Sequence, residues 1–200
     1  RVKEITNRTD VMIVSVAYPQ EGRLMGDSIR EAEAALLWVK HYARKALKKK
    51  IGKIFLIGHS QGGYVVTRLN TMHPTDGVIA NAPGPLNLVY RCGLEETNQI
   101  QPSAVCTLLR QTYGTTVSNP AAYTARSLLS FTEGHKADIL FVQGLQDSPI
   151  QMASWSTFRQ QMTNCSSCQN RQFVEIANAG HTALFESPEA VNAYNVFINR

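Results

Sequence analysis

Ile54-Phe55-Leu56-Ile57 is apolar at every position and runs without a spacer into Gly58-His59-Ser60-Gln61-Gly62-Gly63. A short continuous apolar run bounded by turn residues reads as a strand buried on both faces, as strands are in parallel sheets. From Tyr64 to about Leu69 the pattern becomes helical and ends before Pro74. A strand that turns at once into a helix through glycines and a serine is a demanding local geometry, and it implies a parallel sheet with helices packed on it.

The rest of the chain repeats the alternation. Val11–Tyr18 is a β-branched apolar run stopped by Pro19 and reads as a strand buried on both faces. From Asp27, a good N-cap, to about Lys49, a helix would gather Ile29, Ala32, Leu36, Leu37 and Val39 on one face. Gly77–Ala80, Ile139–Val142 and Gln172–Ile176 are further strands, with helices from about Ile150 to Met162 and from Pro188 to Ile198. Between Pro83 and about Lys136 the rhythm breaks. That stretch opens with Pro83-Gly84-Pro85 and holds helix-like segments around Pro102–Tyr113 and Pro120–Leu129, so residues 83–136 read as an insertion, or lid, over one end of the sheet. With 200 residues, 44% of them hydrophobic, residues 1–200 should form one α/β domain.

Charge and cysteine narrow the setting. The net charge is +5, but much of it lies in Arg44-Lys45 and Lys48-Lys49-Lys50, which suits the solvated C-terminal end of a helix. No aromatics interleave with those lysines, so a nucleic-acid partner is not expected, and no apolar run approaches the ~20 residues of a membrane span. The four cysteines form two local sets, Cys92 with Cys106 and Cys165 with Cys168. Two short-range disulfides in a secreted or periplasmic protein are the favoured reading. A zinc site and four reduced thiols in a cytoplasmic protein stand as alternatives.

In an open α/β sheet, functional groups gather beyond the carboxyl ends of the strands. Ser60 follows Ile54–Ile57, Asp147 follows Ile139–Val142, and His181 follows Gln172–Ile176, so all three fall at one edge. A serine hydroxyl is a weak nucleophile and needs a base within hydrogen-bond reach, itself oriented by a carboxylate. Asp147 and His181 offer both. Gly58 and Gly62 are expected to clear the space that the sharp turn needs, and the Gln61 amide stands where it could donate to an oxyanion. His135 is the main rival base. Asp138 is the rival acid, but it precedes its strand and would lie at the opposite end of the sheet. His59 is expected to point away from the serine.

Gly58-His-Ser-Gln-Gly-Gly63, Gly144-Leu-Gln-Asp147, and Ala179-Gly-His181 followed by Glu186-Ser-Pro-Glu189 together resemble the nucleophile elbow, acid loop and histidine loop of the α/β-hydrolase superfamily. The resemblance spans nearly the whole chain. From Asn119-Pro120 onward it is also similar to catalytic domains of prolyl-oligopeptidase-like enzymes. It implies a serine hydrolase that works through an acyl-enzyme: Ser60 attacks, His181 carries the proton, Asp147 stabilises the imidazolium, and the Gln61 amide binds the oxyanion. It implies no metal or organic cofactor.

A carboxylic ester with a small or medium acyl group is the expected substrate, with Leu86, Leu88, Val89, Leu108 and Leu109 as candidate lining. A peptidase or amidase with the same triad is the nearest alternative, and a hydrolase fold kept as a binding module is a second. Two parts of the family pattern are not matched. No His-Gly-type loop before Ser60 offers the second oxyanion donor. The strand expected between Val11–Tyr18 and Ile54–Ile57 is also missing, which would leave those two strands about 9.5 Å apart, twice the usual ~4.8 Å. A truncated N-terminal segment, a partner chain that completes the sheet, or direct pairing of the two strands would each resolve that gap.

Overall fold

The computed structural model describes residues 10–17 and 23–200. Its centre is a parallel sheet of β1 (Phe55–His59), β2 (Gly77–Asn81), β3 (Ile139–Gly144) and β4 (Arg171–Ile176), hydrogen-bonded in that order. The chain enters through α1 (Ile29–His41) and α2 (Ala43–Leu47), and α3 (Gln61–Met72) links β1 to β2. Three helices, α4 (Leu88–Glu96), α5 (Ala104–Tyr113) and α6 (Pro120–Thr124), lie between β2 and β3. Helix α7 (Pro149–Asn164) joins β3 to β4, and α8 (Pro188–Ile198) ends the fold.

Strand periodicity divides the core in two. On β2 and β3, Val78, Ala80, Ile139 and Phe141 face a layer built from α1, α3, α7 and the α4–α6 segment. Ile79, Leu140 and Val142 face the opposite layer, where Tyr194 and Phe197 of α8 pack. Both strands are buried along their whole length. This is why their sequences are apolar at successive positions rather than alternating. Each large side chain so buried contributes roughly 1.5–3 kcal/mol. The insertion shares this core: Leu88, Cys92, Leu109, Tyr123 and Leu128 are all buried within the larger cluster.

Three expectations need correction. Val11–Ala17 forms no strand; Val11, Met12, Ile13, Val14 and Val16 are exposed, and Tyr18 lies outside the described residues. An apolar run becomes a strand only where a neighbour takes its backbone hydrogen bonds. Among the described residues β1 pairs with β2 alone, and β1 itself is only half-buried rather than buried on both faces. The long helix is interrupted at Tyr42, and Ser28 rather than Asp27 occupies its N-cap position, without a side-chain cap. Lys48 ends α2 in the left-handed region at φ 51°, and Lys48–Lys50 are exposed. Within the insertion, the sequence pattern overlooked α4. That helix is announced only by Asn87, whose side chain accepts from the Tyr90 amide. No helix among the described residues is long and apolar enough to cross a membrane.

Candidate active site

Ser60 stands between the end of β1 and the start of α3 with φ 56° and ψ −119°, a conformation that costs a non-glycine residue on the order of 1–3 kcal/mol. Its surroundings hold it there. The Ser60 amide donates to the Asn81 carbonyl at 2.9 Å, and its own carbonyl accepts from the amides of Tyr64 at 3.0 Å and Gly84 at 3.1 Å. A Cβ on Gly58 would lie 2.1 Å from the Gly62 carbonyl oxygen, so only glycine lets β1 and α3 meet this closely. The second indispensable glycine is Gly63 rather than Gly62. A Cβ there would sit 2.9 Å from Pro83 Cα, whereas one on Gly62 would meet nothing within 4 Å.

The acid and histidine loops are fastened to each other before any side chain is considered. The Leu145 amide donates to Ile176 and the Gln146 amide to Ala179, each at 2.9 Å. A Cβ on Gly144 would come within 2.3 Å of the Ala179 oxygen, which accounts for the glycine at the end of β3. The approach brings His181 Nδ1 to 2.8 Å from Asp147 Oδ2. The Asp147 carboxyl is only 2% exposed, whereas the His181 side chain is 41% exposed. Burial works to raise the Asp147 pKa. Hydrogen bonds from His181, Gln143 and the Ser148 amide outweigh it and hold the carboxyl below its usual range. Its hydrogen bond to Asp147 raises the His181 pKa, against the opposing effect of burial.

Ser60, Gln61, Asp147 and His181 all line one cavity of about 550 Å³. Among the described residues no hydrogen bond joins the Ser60 hydroxyl to His181; the structure pairs His181 with Asp147 and sets Ser60 on the wall of the same cavity. The Gln61 amide begins α3, where helix geometry leaves it without an intrahelical acceptor. The rival groups lie elsewhere. His135 is buried, with Nε2 3.0 Å from the Phe131 carbonyl and burial lowering its pKa. Asp138, ahead of β3, meets the Asn170 amide and Arg200.

Sequence reasoning missed three supports. Gln143 donates to Asp147 Oδ2 at 3.0 Å, and Gln151 donates to the Gln143 side-chain oxygen at 3.1 Å. A glutamine closing the apolar run Ile139–Val142 was the available signal, since a polar side chain buried in a strand needs partners nearby. His59 Nε2 lies 2.8 Å from the His181 carbonyl oxygen, and the two rings are 4.7 Å apart. It braces the histidine loop. Of the five expected apolar lining residues, Leu86 and Leu88 border the cavity. Leu109 is buried in the core and Val89 packs against it, while Leu108 lies outside the cavity wall.

The cysteines pair as Cys92–Cys106 and Cys165–Cys168, and neither pair contains a free thiol. The first bond ties α4 to α5 beside the cavity. The second closes the loop after α7.

No protein-family model and no curated protein matches the chain. Solved structures do. An acylaminoacyl peptidase from Pyrococcus horikoshii superposes with a TM-score of 0.62 at 14% identity, over 88% of this chain and 28% of that one. Est1E from Butyrivibrio proteoclasticus gives 0.59 at 18% identity, over 89% and 72% of the two chains. A truncated carbohydrate esterase from gut microbiota gives 0.64 at 14% identity, over 88% and 69%. The fold is that of the α/β-hydrolases. In this α/β-hydrolase fold, Ser60 occupies the strand-to-helix turn, and Asp147 and His181 follow the last two strands of the sheet. The chain thus spans little more than a quarter of the peptidase and about seven-tenths of the two esterases.

Proposed function

We propose that the protein is a serine hydrolase that cleaves carboxylic esters through Ser60, His181 and Asp147. The observation that carries this reading is the 2.8 Å His181–Asp147 hydrogen bond facing the same cavity as a serine held in a strained turn. Backbone strain at a non-glycine residue, beside a buried carboxylate paired with an imidazole, concentrates at functional sites and supports the reading.

In this scheme Ser60 Oγ attacks the ester carbonyl carbon while His181 Nε2 accepts its proton. Asp147 stabilises the imidazolium through Nδ1, and the Gln61 amide donates to the carbonyl oxygen as it becomes an oxyanion. The imidazolium then protonates the departing alkoxide, leaving an acyl group on Ser60. Water activated by His181 attacks that acyl group, releases the acid and restores the serine. The open serine–imidazole contact closes in the substrate complex, as such hydrogen bonds often tighten only there. The segment from Leu86 through α6 forms the lid side of the cavity, with Leu86 and Leu88 on its wall. The two disulfides favour an oxidising compartment.

A peptidase or amidase reading is supported by the likeness to acylaminoacyl peptidases, and the same three residues would serve it. Initial rates on 4-nitrophenyl butyrate and on aminoacyl anilides separate the two. Ester turnover that dominates and falls on the order of 10⁶-fold in Ser60→Ala is expected. Dominant anilide turnover would reverse the assignment, and undiminished turnover in Ser60→Ala would remove the serine mechanism.

A further inference from the structure

We infer that Arg91 makes this cavity selective for substrates that carry a carboxylate; the inference rests on the hydrolase reading above. The cavity is lined mostly by apolar and neutral polar groups, and its charged lining residues are Arg91, Asp147 and His181. Asp147 and His181 are paired with each other at 2.8 Å, so their charges are already answered. Arg91 is the cation left facing the space.

The alternative role for Arg91 is to neutralise Glu95, one helical turn further along α4, and the distances argue against that as its main task. The Glu95 carboxylate is 2% exposed and already accepts from the Ser103 amide at 2.9 Å and the Ser103 hydroxyl at 2.7 Å. Arg91 approaches it with Nε at 3.4 Å, the longest of the three contacts, and makes no hydrogen bond to it. Among the described residues its two terminal nitrogens meet no hydrogen-bond partner. A guanidinium with no hydrogen bond at either terminal nitrogen can present the fork that binds a carboxylate in bidentate fashion.

The mount is rigid. Cys92, the next residue on α4, is fully buried and bonded to Cys106 of α5, while Ser103 at the N-cap of α5 holds Glu95. Arg91 therefore projects from a wall cross-linked by a disulfide and by the Glu95–Ser103 hydrogen bonds, and that wall also carries Leu86 and Leu88. An apolar stem for the body of the substrate and one cation for its end suit a half-ester of a short dicarboxylic acid, or an ester whose alcohol bears the carboxylate.

The two sources of the anion are told apart by three esters: 4-nitrophenyl butyrate (neutral), mono-4-nitrophenyl glutarate (anion on the acyl side) and 4-carboxyphenyl butyrate (anion on the leaving side). In Arg91→Gln, kcat/KM for one of the anionic esters should drop on the order of 10-fold to 100-fold, mainly through KM, relative to the neutral ester. Arg91→Lys should recover part of that loss, and added salt should erode the preference in the parent protein. Glu95 keeps both Ser103 donors in these variants, so the fold should survive, and an unchanged far-UV circular dichroism spectrum and thermal midpoint check it. An unchanged ratio of anionic to neutral turnover in Arg91→Gln would overturn the inference.

A second readout does not depend on turnover. Binding of mono-4-nitrophenyl glutarate to Ser60→Ala, followed by calorimetry, should weaken by the same factor when Arg91→Gln is added. Equal binding by both proteins would overturn the Arg91 assignment even if no ester were hydrolysed. Absence of any hydrolysis, with binding that still depends on Arg91, would instead fault the catalytic reading alone.

Discussion

The two glycines flanking Ser60 should respond to the same substitution with opposite signs. In Gly58→Ala the new methyl group would lie 2.1 Å from the Gly62 carbonyl oxygen, 2.2 Å from its carbon and 2.7 Å from the Gly63 nitrogen. All three are backbone atoms, so no side chain can swing aside, and β1 must move from α3 by on the order of 1 Å. Overpacking of a tight core costs about 1–3 kcal/mol, and a clash confined to backbone belongs at or above the top of that range. With a urea m-value of about 2 kcal/mol/M, a loss of about 3 kcal/mol moves the unfolding midpoint down by roughly 1.5 M. In Gly62→Ala the methyl meets nothing within 4 Å, and residue 62 is helical. Alanine there restricts the unfolded chain and should raise stability by about 0.4–1 kcal/mol. Urea titrations followed by far-UV circular dichroism measure both. Equal destabilisation by the two variants, or a Gly58→Ala midpoint matching the parent, would refute the packing argument for the turn.

The raised His181 pKa gives a pH profile with a definite sign. A general base works when neutral, so kcat/KM should climb with pH along a limb whose apparent pKa lies above 6.5, and Asp147→Asn should shift that limb downward while lowering the plateau. In stability, the His181–Asp147 pair contributes fully between Asp147's unfolded pKa of 3.8 and His181's unfolded pKa of 6.5. The His181 share is lost as pH rises through its folded value, and the Asp147 share is lost as pH falls through a folded value below 3.8; pH-resolved melting follows both. Gln143→Leu removes a donor to Asp147 Oδ2, so burial should push the carboxyl pKa upward and kcat should fall more than KM changes, as steady-state kinetics will show. Cys92→Ser with Cys106→Ser opens a link of sequence separation 14 and should cost about 3 kcal/mol on the chain-entropy estimate, visible as a lower thermal midpoint.

What could be read from the sequence was whatever one short segment dictates. Ile54–Ile57 followed by glycines around Ser60 announced the turn, because the apolar run, the glycines and the helix start are contiguous. The strand positions of Ile139–Val142 and Gln172–Ile176 likewise placed Asp147 and His181 at one edge. Readings failed where a distant neighbour decides the outcome. Val11–Ala17 has the composition of a strand, but pairing depends on a partner that local pattern does not supply. Gly62 and Gly63 look alike in sequence, and the positions of Pro83 and the Asn81 carbonyl tell them apart. Gln143, Gln151 and Arg91 gain their roles from side chains brought together across β3, α7 and α4, which no periodicity encodes.

Labelling of the purified protein with a fluorophosphonate probe, followed by peptide mapping, tests the central claim most directly. Modification should fall on Ser60 alone, disappear in Ser60→Ala and slow sharply in His181→Ala, because the hydroxyl attacks phosphorus only when a base takes its proton. Folded protein that takes up no label at Ser60, or that labels equally fast without His181, would contradict the account.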